Sequence, residues 1–237
     1  ARERELDATY QRFRDAGLTL DLTRGKPNAA QLALSDGLDT VTGGLVTADG
    51  TDTRNYGGLD GLPEARALGA ALLGVHTEEV IAGGNSSLTL MYSYLLNAWL
   101  YGPAGEGTAW RDGGVVRFLC PVPGYDRHFT ICEHFDIEMI TVPLNDDGPD
   151  MQQVKELVSQ DAAIKGIWCV PKYSNPTGNT YSKEVVEQFA EIPKVAGDNF
   201  RVFWDNAYAV HDLVEHGDEL PSLMTAAEKA GTTDSIV

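Results

Sequence analysis

The chain has 237 residues, with 18 Lys plus Arg against 35 Asp plus Glu, a formal charge of −17 and an apolar fraction of 43%. Enough apolar mass for a real core excludes a disordered chain, and three cysteines with no CxxC pair exclude a disulfide scaffold and suit a reducing, cytoplasmic compartment. The acidic balance argues against a nucleic-acid partner; no apolar run approaches the roughly 20 residues of a membrane helix, and the charged N-terminal stretch has no signal-peptide core.

In chain order, residues 4–16 place Leu6, Tyr10 and Phe13 on one helical face. Residues 18–22 alternate like a short strand, and residues 23–28 read as a turn. Gly43, Gly44, Asp49 and Gly50 mark a loop-rich stretch, and Pro63 suits the first position of a helix reaching Leu73. From there the rhythm is regular. Strands are predicted at 79–82, 115–119, 137–142, 166–170 and 201–204, with a further one starting at Ser235. Helices are predicted at 86–101, 125–134, 151–160, 182–192 and 222–230. This alternation predicts an α/β fold with a mostly parallel sheet and helices on both faces.

Ligands of such sheets bind beyond the C-terminal ends of the strands. Four segments follow predicted strands, directly or within a few residues: Gly83-Gly84-Asn85-Ser86-Ser87, Pro121-Val122-Pro123-Gly124-Tyr125, Ser174-Asn175-Pro176-Thr177-Gly178 and Asp205-Asn206-Ala207-Tyr208. The first is a glycine turn opening a helix, which suits a phosphate or is an ordinary cap. It is neither a Walker loop nor a G-x-G-x-x-G turn. Tyr125 could wall a planar ligand or pack in the core. Asp205 ends the apolar run Val202-Phe203-Trp204; a carboxylate there needs a cation, such as a protonated ring nitrogen, or serves as a helix cap. Tyr208 falls on the same side if a helical turn starts at Asp205. His128, Cys132 and His134 match no standard zinc spacing, so no metal is expected. No G-x-S-x-G elbow supports a serine hydrolase.

Together and in this order, the four segments resemble the fold-type I enzymes that use pyridoxal 5′-phosphate (PLP). Ser174 to Gly178 followed by Asp205 to Tyr208 resembles the class I/II aminotransferases. The strings at 22–27, 55–61, 119–128, 170–178 and 203–211 are similar to a bacterial branch of aspartate aminotransferases, subgroup Ic. The resemblance implies the large domain of a fold-type I PLP-transferase, with a sheet of the seven-stranded type. Residues 1–50 would belong to the small domain and the edge of the substrate pocket, and residues 51–237 to the PLP-binding large domain. Asp205 would pair with the pyridinium nitrogen. Asn175 and Tyr208 would bond the phenolic oxygen, Tyr125 would stack on the ring, and Gly84, Asn85, Ser86 and Ser87 would cradle the phosphate. Tyr56 would reach the phosphate of a neighbouring subunit, implying a homodimer. Gly25 would line the substrate pocket beside Asn175, and His128 would sit behind the stacking aromatic. The family's aldimine lysine and substrate-carboxylate arginine have no counterpart here. The resemblance therefore implies the N-terminal portion of a longer enzyme, cut before the lysine strand and inactive alone.

The function implied is transamination between an amino acid, aspartate or glutamate, and a 2-oxo acid. Another fold-type I chemistry, a β-lyase or decarboxylase, shares the cofactor motifs, and so does a non-catalytic PLP-binding regulatory domain. Arg24, Arg54 and Arg127 are conceivable carboxylate partners, and spacing does not choose among them.

Overall fold

The computed structural model describes residues 2–19, 27–40, 46–212 and 214–237. The chain divides into two compact units, Ala1–Arg54 and Asn55–Val237. The first holds helices α1 (Arg2–Asp15) and α2 (Ala29–Ala33) and a 3-10 turn at Asp36–Thr40. Asn28 caps α2 in a reciprocal box with Gln31. Gly25 and Arg24 lie outside the described residues, as does most of the strand expected at 18–22.

The second unit opens with α3 (Pro63–Leu73) and α4 (Ser87–Leu100), then alternates strands and helices. These are β1 (Arg117–Val122), α5 (Asp126–His134), β2 (Glu138–Asn145), β3 (Gly148–Pro149), α6 (Met151–Gln160), β4 (Ile164–Cys169), α7 (Lys183–Glu191), β5 (Arg201–Trp204) and α8 (Leu223–Ala230). The sheet order is β3-β2-β1-β4-β5. All neighbouring pairs are parallel except β2 with β3. The expected α/β architecture is thus present, with five strands among the described residues.

Alternation along the strands sorts the core onto two faces. Phe118 and Cys120 of β1, Trp168 of β4 and Phe203 of β5 pack against Leu95 and Ala98 of α4 and Ile131 and Cys132 of α5. On the other face, Leu119, Val142, Ile167, Cys169 and Val202 meet residues of α6, α7 and α8. Strands buried on both faces read as continuous apolar runs, which made β1, β4 and β5 legible. Gly166 is the exception within β4, because any Cβ there would strike the Phe118 ring.

One predicted strand is corrected. Residues 77–79 form a 3-10 turn and residues 80–82 run extended without a ladder. The Arg66 guanidinium takes the carbonyls of Val80 and Thr77, both at 2.8 Å, and the Ala82 N–H bonds the Asp60 carbonyl at 2.8 Å. Local partners thus satisfy backbone groups that a neighbouring strand would otherwise meet. Strand β1 runs to Val122, past the expected end at 119, because Cys120, Pro121 and Val122 stay in register with β2. The strand expected from Ser235 begins one residue later. Ile236 bridges Val202 in parallel, and Trp204 donates to the Val237 carbonyl at 2.7 Å. No helix among the described residues is long and apolar enough to cross a membrane.

Candidate active site

Strands β1, β4 and β5 are parallel neighbours, so their C-terminal ends share one edge of the sheet. The segments that follow them carry Tyr125, Asn175 and Asp205. The Asp205 N–H donates to the Cys169 carbonyl at 2.9 Å, fixing the start of its segment to the end of β4.

The centre of the site is a buried pair. His128 Nε2 lies 2.9 Å from Asp205 Oδ2, with side-chain exposures of 2% and 8%. A carboxylate only accepts, so with Asp205 ionised the shared proton sits on the histidine nitrogen. Two rings hold His128 in place. Trp168 stacks on it at 4.5 Å between centroids and 14° between planes, and Tyr125 meets it edge-on at 5.2 Å. Trp168 is fixed in turn, since its indole N–H donates to Cys132 Sγ at 3.2 Å and Phe118 packs beside it. Tyr125 is the N-cap residue of α5, and His128 follows three residues later, on the same helical face.

Helix α4 supplies a second element. Ser86 is its N-cap and accepts from the Thr89 N–H at 3.3 Å. Gly84, Asn85, Ser86 and Ser87 are exposed, and a Cβ on Gly84 would meet open space. Leu88 and Thr89 of α4 share a groove with Arg127 and Thr130 of α5, while further along Tyr92 bonds His134 at 3.0 Å. The two helices therefore run in the same direction, and both present their N-termini, rich in free N–H groups, at one end.

Asn175 is exposed in a turn closed by the Gly178 N–H on the Ser174 carbonyl at 2.6 Å. Tyr208 is half-buried in the loop after β5, its ring edge-on to His211. Tyr56 is fully exposed. Among the conceivable carboxylate partners, Arg54 is paired with Asp52 at 2.6 Å and Arg127 is exposed on α5. The trio weighed for metal is dispersed onto other partners: His128 on Asp205, Cys132 under Trp168 and His134 on Tyr92.

Two features escaped the sequence. The His128–Asp205 pair closes over 77 residues, and the resemblance placed His128 only behind the stacking aromatic. The other is a polar knot beside the site. Lys172 Nζ lies 2.8 Å from Asp212 Oδ1, which also accepts from the Tyr173 hydroxyl at 2.7 Å. These two bonds, the Lys172 one first, hold the Asp212 carboxyl below the usual range. The Tyr173 hydroxyl is pushed up, chiefly by donating to that carboxylate. Because the folded Asp212 value is the lower one, the contribution of the pair is complete above the ordinary carboxylate range and fades only as pH falls through the lowered value. Carbon-detected NMR should show Asp212 titrating below an unstructured aspartate; a midpoint at or above the ordinary one would contradict the pairing.

The whole chain, residues 1–237, matches the aspartate amino-transferase family. This chain belongs to that family. It is 49% identical over 226 residues to a protein named as an aminotransferase in Mycolicibacterium smegmatis, covering 94% of this chain and 53% of that one. It is 44% identical over 229 residues to the aspartate aminotransferase of Corynebacterium glutamicum, covering 96% of this chain and 52% of that protein. The crystal structure of an aspartate transaminase from C. glutamicum superposes with a TM-score of 0.88 at 43% identity, covering 98% of this chain and 55% of that one. The α-aminoadipate aminotransferase of Thermus thermophilus, solved with N-(5′-phosphopyridoxyl)-L-leucine, shares the fold at a TM-score of 0.59 and 21% identity, over 88% of this chain and 46% of that one. The aminotransferase-family chain thus spans about half the length of the curated relatives it matches.

Proposed function

We propose that the protein is a PLP-dependent aminotransferase that passes the amino group of aspartate or glutamate to a 2-oxo acid. The observation that carries this reading is the buried Asp205 carboxylate at the sheet edge, held by His128 beside an aromatic ring and a helix N-terminus. That donor set fits the cofactor. An ionised, oriented carboxylate suits a protonated ring nitrogen, Tyr125 offers a flat face, and the start of α4 suits a phosphate.

When bound, PLP supplies an electron sink for the substrate α-carbon. Asp205 would hold the proton on the ring nitrogen, and His128 would keep Asp205 aimed. Tyr125 would cover one ring face and exclude water from it. Asn175 and Tyr208 would donate to the phenolic oxygen, while Gly84, Asn85, Ser86 and Ser87 would anchor the phosphate. We assign Gly25 and Asn175 to substrate binding, and residues 1–50 to a small domain.

We propose that the cofactor lysine lies outside this sequence; Lys26 lies outside the described residues. Lys172 is committed to Asp212, and Lys165, Lys183 and Lys194 reach Asp198, Glu187 and Glu191. Lys155 and Lys229 are exposed on α6 and α8. A chain spanning half of its relatives' length is in keeping with that placement. We also propose a cytoplasmic homodimer. Three buried free thiols favour a reducing compartment, and a fully exposed tyrosine at position 56 suits a partner. If Tyr56 reaches the partner's phosphate, Tyr56→Phe removes one hydrogen bond to a charged group and should weaken PLP retention roughly tenfold. Equilibrium dialysis measures this, and unchanged retention in a proven monomer would remove Tyr56 from the site.

The reading as a whole is tested by giving the full-length protein PLP, aspartate and 2-oxoglutarate. Oxaloacetate and glutamate should form in equal amounts. Release of carbon dioxide or of ammonia without glutamate would point to another PLP chemistry.

A further inference from the structure

Lys172 is buried to 6% exposure, three residues past the end of β4 and three residues before Asn175. A buried ammonium is costly unless paired, and this one is met twice by the loop after β5. Its Nζ lies 2.8 Å from Asp212 Oδ1 and donates to the Ala209 carbonyl at 3.2 Å. Ala209 is the residue next to Tyr208. The Tyr173 hydroxyl doubles the tie, donating to Asp212 at 2.7 Å and accepting from the Asp218 N–H at 2.9 Å. Tyr173 itself holds φ at +48°, a left-handed conformation that a bulky residue adopts only where its surroundings impose it. Gly217 completes the knot, because a Cβ there would collide with the Asp212 carboxylate and the Tyr173 hydroxyl. Two loops from different strands are thereby joined within a few residues of Asn175 on one and Tyr208 on the other.

We propose that Lys172 is a positioning residue which, through Asp212 and the Ala209 carbonyl, sets the separation of the Asn175 and Tyr208 arms and so fixes the orientation of the bound ring. This rests on the PLP reading above and adds a part to it. A lysine acting only as a strut would contribute to melting temperature and nothing else. One acting on the arms must also govern how the ring lies in its chiral surroundings, which the visible circular dichroism of the bound chromophore reports.

The test uses full-length protein loaded with PLP and compares wild type with Lys172→Met, Asp212→Asn and Lys172→Arg. Lys172→Met removes a charge-assisted hydrogen bond while keeping the buried stem, so the protein should still fold. The visible dichroism per bound PLP should fall by about half or more, and PLP should dissociate about tenfold faster. Asp212→Asn, at a more exposed position, should shift both in the same direction by less, and Lys172→Arg should restore part of the signal. Wild-type dichroism and retention in both Lys172→Met and Asp212→Asn, with only a lowered melting temperature, would overturn the proposal. If wild type itself binds no PLP, the cofactor reading fails as well, and the two failures are told apart by that control.

Discussion

Replacing Asp205 with alanine in the full-length protein should cut turnover by about a hundred- to a thousandfold and loosen PLP. That scale is what removal of one preorganised electrostatic partner of developing charge typically costs. The physical reason lies in the setting. The Asp205 side chain is 8% exposed and its backbone N–H is tied to Cys169 of the neighbouring strand, so its place is fixed. Without the carboxylate a bound ring nitrogen would have no partner to hold its proton, and the electron sink that PLP would supply would be weakened. His128 would be left in the interior without its acceptor, which adds a stability cost. Steady-state kinetics at saturating PLP separate the two effects. A variant that transaminates like wild type would remove Asp205 from the chemistry.

The second large effect is expected at His128. His128→Leu keeps a side chain of similar bulk under Trp168 and removes the one donor seen on Asp205 Oδ2. Leaving a buried charged acceptor short of a partner costs about 1–3 kcal/mol, equivalent to roughly five- to a hundredfold in PLP affinity. His128→Gln retains an N–H donor and should recover part of that loss, which a purely steric role would not allow. Fluorescence titration of the apoprotein with PLP measures both variants. Equal affinity in wild type and His128→Leu would show that Asp205 needs no support from behind.

Much of this arrangement could be read before any coordinates. The apolar runs of β1, β4 and β5 are unambiguous because both faces of each strand are buried. Helix starts were equally plain: Ser86, Asp150, Ser182 and Ser222 each cap the helix that follows. The residues 80–82 misled for a definable reason. Their β-branched, apolar character matches a strand, but a strand needs a neighbour, and here Arg66 and Asp60 take their backbone groups. The short pairing of Gly148 and Pro149 with β2 carries no periodicity at all in two residues.

The site divides along the same line. Its residue types after each strand were visible, since chemistry placed at strand ends leaves a local signature. Its connections were not. His128 with Asp205 joins the segments after β1 and β5, on either side of β4, and Lys172 with Asp212 joins those after β4 and β5, each far apart in sequence. Only the order in which β1, β4 and β5 lie side by side brings those partners together.

PLP is expected to sit across the ends of β1, β4 and β5 with its ring nitrogen on Asp205. A crystal structure of the full-length protein grown with PLP tests it most directly. The pyridine nitrogen should lie within hydrogen-bond distance of the Asp205 carboxylate, with Tyr125 against one ring face and the phosphate at the start of α4. A cofactor bound elsewhere on the protein, or one whose ring nitrogen meets no carboxylate, would contradict it.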